Sequence, residues 1–125
     1  MIQLASLAAT VLLLGAAPAA GGDDAAMADF FKGTLEIDVP AGGPWSAKSY
    51  LSRDHTFRMV GSDGEVRGTW AVKDGKLCTT SNADPGPDKL KTYCNVGVGK
   101  KLGEAWKDAD PVTGNLVLFR LVPGR

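Results

Sequence analysis

The chain has 125 residues, with 14 basic and 14 acidic side chains and no net charge, the size of one domain. Its charges are interspersed rather than gathered on a run, which excludes the electrostatic footprint of a nucleic-acid binder or of a protein held on an anionic membrane. One histidine and two cysteines are too few for the usual zinc ligand sets, and no cofactor is expected.

The first segment is uncharged and apolar from Leu4 to Leu14, then passes into small residues around Ala17-Pro18-Ala19. That layout predicts a secretory leader over 1–19 cut before Ala20. The apolar run falls short of the roughly 20 residues a membrane span needs, so no membrane insertion is expected once the leader is gone. The mature chain is then periplasmic or secreted, and a monomer. In an oxidising compartment Cys78 and Cys94 are expected to pair. Closing a loop of about 15 residues would stabilise the fold by roughly 3 kcal/mol through the unfolded chain.

Residues 20–32 form an N-terminal segment in which 23–32 predicts one short helix. Asp23 or Asp24 would cap it, Met27, Phe30 and Phe31 would face inward, and Gly33 would end it. From 33 to 125 the pattern is all β: short alternating runs divided by Gly, Pro, Asp and Asn. Strands are predicted at 33–39, 45–52, 55–60, 65–72, 76–80, 90–96, 101–107 and 115–122. Leu35, Ile37 and Val39 share one face; Phe57 and Met59 lie opposite Arg58; Val66, Gly68, Trp70 and Val72 lie opposite Glu65, Arg67 and Thr69. Tyr50 falls on the polar side of its strand with Ser46, Lys48 and Ser52. Asp74-Gly75 is the strongest tight-turn signal in the chain. About eight strands suit a single antiparallel up-and-down meander rolled into a small barrel, which also removes the unpaired edges of an open sheet.

Two places disturb the alternation. Bonded cysteines on neighbouring strands need a common face, yet Cys94 groups with Leu90 and Val96, which look inward, while Cys78 sits opposite Leu77. A β-bulge near Leu77 is expected to reconcile them. In the last hairpin the uncharged set Gly103, Ala105, Val117, Phe119 and Leu121 is taken as core. That leaves Trp106, Leu116 and Leu118 outside, flanked by Glu104 and Arg120: an apolar cluster rimmed by opposite charges, as contact surfaces often are.

Catalytic patterns are thin. His55 lacks an orienting partner, since Asp54 is its strand neighbour and points to the other face. The acids sit mostly in turns, where solvated aspartate is ordinary. Asp108-x-Asp110 ahead of Gly114 departs from a calcium loop, with Pro111 and Val112 where ligands belong.

The runs Asp54-His-Thr-Phe-Arg58, Gly68-Thr-Trp70, Asp74-Gly-Lys-Leu-Cys78 and Tyr93-Cys94 resemble small exported bacterial lipocalin-like barrels of uncharacterised function, with their Gly-x-Trp, Gly-x-Leu-Cys and second-cysteine pattern. The likeness covers about 33–96. It implies the barrel and the Cys78–Cys94 bond, and brings no activity and no functional residues. Exported lysozyme inhibitors share size, leader and disulfide without their loop motif being present. Bacterial metalloprotease inhibitors share the eight-stranded barrel and act through a mature N-terminus, for which 20–28 would stand. The expectation is a non-enzymatic exported binding module that uses Trp106, Glu104, Arg120, Leu116 and Leu118 to hold a small ligand or a protein partner. A protease or lysozyme inhibitor acting through the N-terminal segment or Pro85-Gly86-Pro87 is the alternative, and a small hydrolase the second.

Overall fold

The computed structural model describes residues 24–125; the expected leader, its cleavage position and Asp23 lie outside the described residues. Where one short helix is expected, the chain makes a helical turn at 24–26 and then a 3-10 turn, Ala28–Lys32. The tighter winding has a packing reason. Residues three apart eclipse one another in 3-10 geometry, so Met27 and Phe30 both point into the barrel and are fully buried. Phe31 turns aside to lie 5.8 Å from Trp70, ring to ring. Gly33 ends that 3-10 turn, its N–H bonding Phe30 O, in an extended conformation at φ −132°, and opens the first strand.

Eight strands follow: β1 (Gly33–Val39), β2 (Trp45–Leu51), β3 (Thr56–Gly61), β4 (Gly64–Lys73), β5 (Lys76–Ser81), β6 (Thr92–Asn95), β7 (Ala105–Ala109) and β8 (Leu116–Pro123). They form one sheet in the order β6-β5-β4-β3-β2-β1-β8-β7, with every pairing antiparallel. The meander therefore runs through β1–β6, and β8 returns to the far side of β1. This is a nearly closed barrel. The remaining gap, between β6 and β7, is crossed by the Trp106 indole, whose Nε1 donates to Asn95 Oδ1 at 3.4 Å. Gly97 makes that crossing possible, because a Cβ there would meet the indole at 2.9 Å.

Inward alternation fills the interior with Leu35, Leu51, Phe57, Trp70, Leu77, Trp106, Phe119 and Leu121, closed at one end by Met27 and Phe30. Gly68, on the same inward face as Trp70, marks the closest approach of two backbones. A Cβ there would lie 1.8 Å from the Thr80 carbonyl oxygen, so only glycine lets β5 pass. The Trp70 indole N–H donates to Ser52 O at 2.8 Å, which satisfies its one polar atom in the core.

Cys78 and Cys94 are bonded, 16 residues apart. The bulge expected near Leu77 is absent. Val72↔Leu77 and Ala71↔Cys78 on one side, and Leu77↔Asn95 and Cys78↔Cys94 on the other, form an unbroken ladder. Leu77 is the core residue, and the disulfide lies on the outer face. The expectation failed because it placed Cys94 with Leu90 and Val96, which fall outside the short β6 and are exposed at 42% and 46%. The Leu90 amide bonds the Tyr93 hydroxyl at 3.0 Å instead of joining the sheet.

Candidate functional site

The five residues expected to form a contact cluster do not come together. Trp106 is in the core, 9% exposed, stacked on Phe119 at 5.5 Å and 12° and edge-on to Phe30 at 6.2 Å. The physical reason is register. Counting alternation from Leu102 assumes a strand at 101–107, but 101–104 is a turn, with Glu104 N–H donating to Lys101 O at 3.0 Å and Gly103 at φ 92°. The strand starts at Ala105, opposite Arg120, and so brings Trp106 opposite Phe119. Ala105, taken as core, is exposed. Glu104 instead closes its turn, its Oε1 accepting Lys101 N–H at 2.7 Å. Arg120 pairs with Glu36 at 3.7 Å. Leu116 and Leu118 do lie outside, 45% and 39% exposed, on the outer face of β8 with Arg120.

With the interior occupied by side chains, two shallow concavities lie along the strands. The larger, about 680 Å³, has Tyr50, Arg58, Arg67, Asn82 and Arg125 in its walls. Three adjacent strands build it. Tyr50 on β2 stands opposite Arg58 on β3, and Arg58 opposite Arg67 on β4. The ladder continues to the Asn82 amide, which donates to Arg67 O at 2.8 Å. The Arg58 guanidinium lies over the Tyr50 ring at 4.8 Å, a cation–π contact that fixes its long side chain.

Arg125 enters from the end of β8. Its Nη1 donates to three carbonyls, Phe30 O at 3.2 Å, Phe31 O at 3.0 Å and Leu51 O at 2.7 Å, and its Cζ is 5.8 Å from the Tyr50 ring centre. One arginine thus ties the 3-10 turn, β2 and the final residues together and holds a charge at the groove wall. Like charges directly opposite on neighbouring strands repel, and Arg58 and Arg67 share a single carboxylate. Glu65 accepts Arg67 Nε at 2.7 Å and lies 3.7 Å from Arg58 Nη1. Three guanidiniums face one acidic side chain. At the rim, Thr56 donates through its hydroxyl at 2.6 Å and its amide at 3.1 Å to Asp54 Oδ1, which holds the Asp54 carboxyl below the ordinary carboxylate range.

His55 has the orienting carboxylate that its neighbour cannot supply. Asp24, 31 residues earlier, meets His55 Nε2 at 2.8 Å. The imidazole stacks flat on Trp70, 4.1 Å between centres at 15°, with His55 itself at φ 69°. Among the described residues no hydroxyl hydrogen-bonds the ring, so the pair is not joined to a nucleophile; its visible role is to fasten the N-terminal turn to the barrel. Among the described residues, too, no group of three or more His, Cys, Asp or Glu side chains could hold a metal ion. Asp110 spends its carboxylate on its own turn, accepting Val112 N–H at 2.7 Å and Thr113 N–H at 3.3 Å. Comparison with known proteins adds nothing to this surface: no family model, no curated protein and no solved structure matches the chain.

Sequence reasoning put Tyr50, Arg58 and Arg67 each on the polar face of its strand but did not join them. The signal was there in part. Short turns between β2, β3 and β4 force neighbouring strands to pair, and counting outward from 62–63 aligns Val60 with Glu65 and Arg58 with Arg67.

Proposed function

We propose that the chain is a non-enzymatic exported binding module, periplasmic or secreted, that holds a small ligand or a protein partner on the outside of its barrel. The observation that carries this reading is the contrast between a filled interior and an outer groove with an excess of guanidinium groups. A barrel that stores a ligand keeps its middle open, whereas this one plugs it with Met27, Phe30, Trp70 and Trp106. The Cys78–Cys94 bond supports export, because such bonds persist in oxidising compartments. The inhibitor alternative would act through the N-terminal segment, of which Met27 is packed into the barrel end, or through the Pro85-Gly86-Pro87 loop.

Expression of the full chain with its leader, followed by fractionation and native mass spectrometry of the folded protein, tests the proposal. The expected result is an oxidised mature protein outside the cytoplasm, carrying a bound species that is lost on Arg58→Gln with Arg67→Gln. Recovery in the cytoplasm with free thiols, or turnover of a substrate dependent on His55, would overturn it.

A further inference from the structure

The groove gathers arginines. At several other places opposite charges meet: Arg120 lies against Glu36, Lys32 against Asp29 and Lys89 against Asp63, whereas Lys73 and Lys76 face each other only as flexible side chains at a turn. In the groove, two arginines stand directly opposite one another, a third approaches from the C-terminal end, and Glu65 alone compensates them. The flanking Arg53 and Asp54 cancel, so among the side chains of the groove guanidinium groups outnumber carboxylates. Arg125 is held there by carbonyls of the barrel end, whereas Arg58 and Arg67 stand opposite one another on the outer face at a cost in repulsion.

We infer that the groove formed by Arg58, Arg67, Arg125 and Tyr50 binds the dianionic phosphoryl group of a phosphate monoester. This rests on the reading of the barrel as a binding module that works from its outer face. A phosphoryl group is anionic, as a cluster of guanidiniums requires, and its oxygens accept the paired N–H groups a planar guanidinium presents. The donors are in place. Glu65 hydrogen-bonds Nε of Arg67. Arg125 commits only Nη1 to carbonyls. Arg58 is steadied by Tyr50 beneath it and its nearest acid stands 3.7 Å away.

A volume of about 680 Å³ falls within the range of small-molecule sites, roughly 300–1,000 Å³, so the groove has room for more than the phosphoryl group alone. Asn82, Ser52 and Thr56 in its walls offer neutral donors and acceptors that suit a hydroxylated body. A polyanion is disfavoured. One strand row away, Glu36 and Lys48 stand opposite each other, and Asp38 follows next on that face, so the positive region ends after a single group.

The test uses the full oxidised protein and four probes at matched ionic strength: inorganic phosphate, glucose 6-phosphate, acetate, and vesicles of phosphatidylcholine with phosphatidic acid. Arginine Nε–H signals in 15N NMR and calorimetry read binding. Phosphate is expected to shift the Arg58 and Arg67 signals, with acetate weaker by about tenfold, as a halved charge and lost acceptors imply. Arg67→Gln should weaken phosphate by about tenfold while Arg67→Lys retains part of it. Thermal melts keep the argument from resting on folding. Glu65→Gln leaves the arginines unopposed, and phosphate should raise its Tm by more than that of the unaltered protein. Tighter binding of glucose 6-phosphate than of vesicles assigns the group to a soluble monoester, and the reverse order assigns it to a lipid headgroup. Absence of any arginine shift with all phosphoryl probes overturns the inference; if native mass spectrometry still finds a bound species, the binding-module reading stands without it.

Discussion

The β4–β5 and β7–β8 hairpins are written in the same alternating pattern, yet only the first carries its register in its own turn. Asp74 and Gly75 sit at φ 51° and 75°, the two left-handed positions of a tight turn whose twist matches the strands. With Lys73 and Lys76 thereby paired, every residue back to Gly68 is placed. The β7–β8 connection is a longer loop shaped by Asp110 and by Gly114 N–H donating to Asp110 O at 2.7 Å. It tolerates more than one pairing, and the choice falls to what the strand buries. Trp106 offers far more apolar area than Ala105, so the register that sends the indole inward prevails. Local turn chemistry decides one hairpin and burial decides the other.

The largest expected effect tests the second half of that contrast. Trp106→Ala removes the residue that stacks on Phe119 and spans the β6–β7 gap, and should cost about 3–5 kcal/mol in denaturant unfolding. A loss within about 0.5 kcal/mol, the level of an ordinary surface change, would return Trp106 to the outside.

Between the two regimes stands β6, which follows a long loop and has only four residues. Neither turn nor burial holds it, since its face toward β5 is clipped by the disulfide. Replacing Cys78 and Cys94 together by serine should lower stability by roughly 3 kcal/mol and raise amide exchange first in 92–95. Unchanged protection there would show that β6 is held by its own contacts.

Gly75→Ala probes the first hairpin. An alanine at φ 75° is strained, with open space around its methyl group, so the cost is the backbone's alone, about 1 kcal/mol. A stabilised variant would mean the turn does not set the register.

Acid offers a smaller effect. The Asp63 carboxyl is held below the ordinary carboxylate range, first by the Trp45 Nε1–H that donates to it at 2.8 Å. Its contribution is therefore complete above the unfolded value, about 4, and fades as pH falls through the lower folded value. Asp63→Asn should flatten that part of the pH–stability curve, and a curve unchanged by the substitution would deny the link. Smallest of all, Leu118→Ala on the outer face of β8 should stay within about 0.5 kcal/mol when its Tm is compared with that of the unaltered protein.

The candidate groove was legible one strand at a time. Arg58 opposite Phe57 and Met59, Arg67 opposite Val66, and Tyr50 among serines and a lysine each announce an outward face. What no single strand carries is that the three stand in one row, because that depends on pairing across two turns. Asp24 meeting His55 was less legible still: the two are far apart in the chain, and the contact exists only because Met27 and Phe30 draw the N-terminal turn against the barrel end.

By itself the sequence determined the all-β class, the approximate strand spans and the inward faces of β1 to β4, because these follow from period-two alternation and local turn residues, and the pairing of its two cysteines, because there are only two. Only the tertiary structure decided that Trp106 faces in, that the disulfide lies outside, and that three arginines converge. A strand's alternation leaves open which side is inside, since a shift of one residue exchanges the faces. Competition for burial in one shared interior makes that choice.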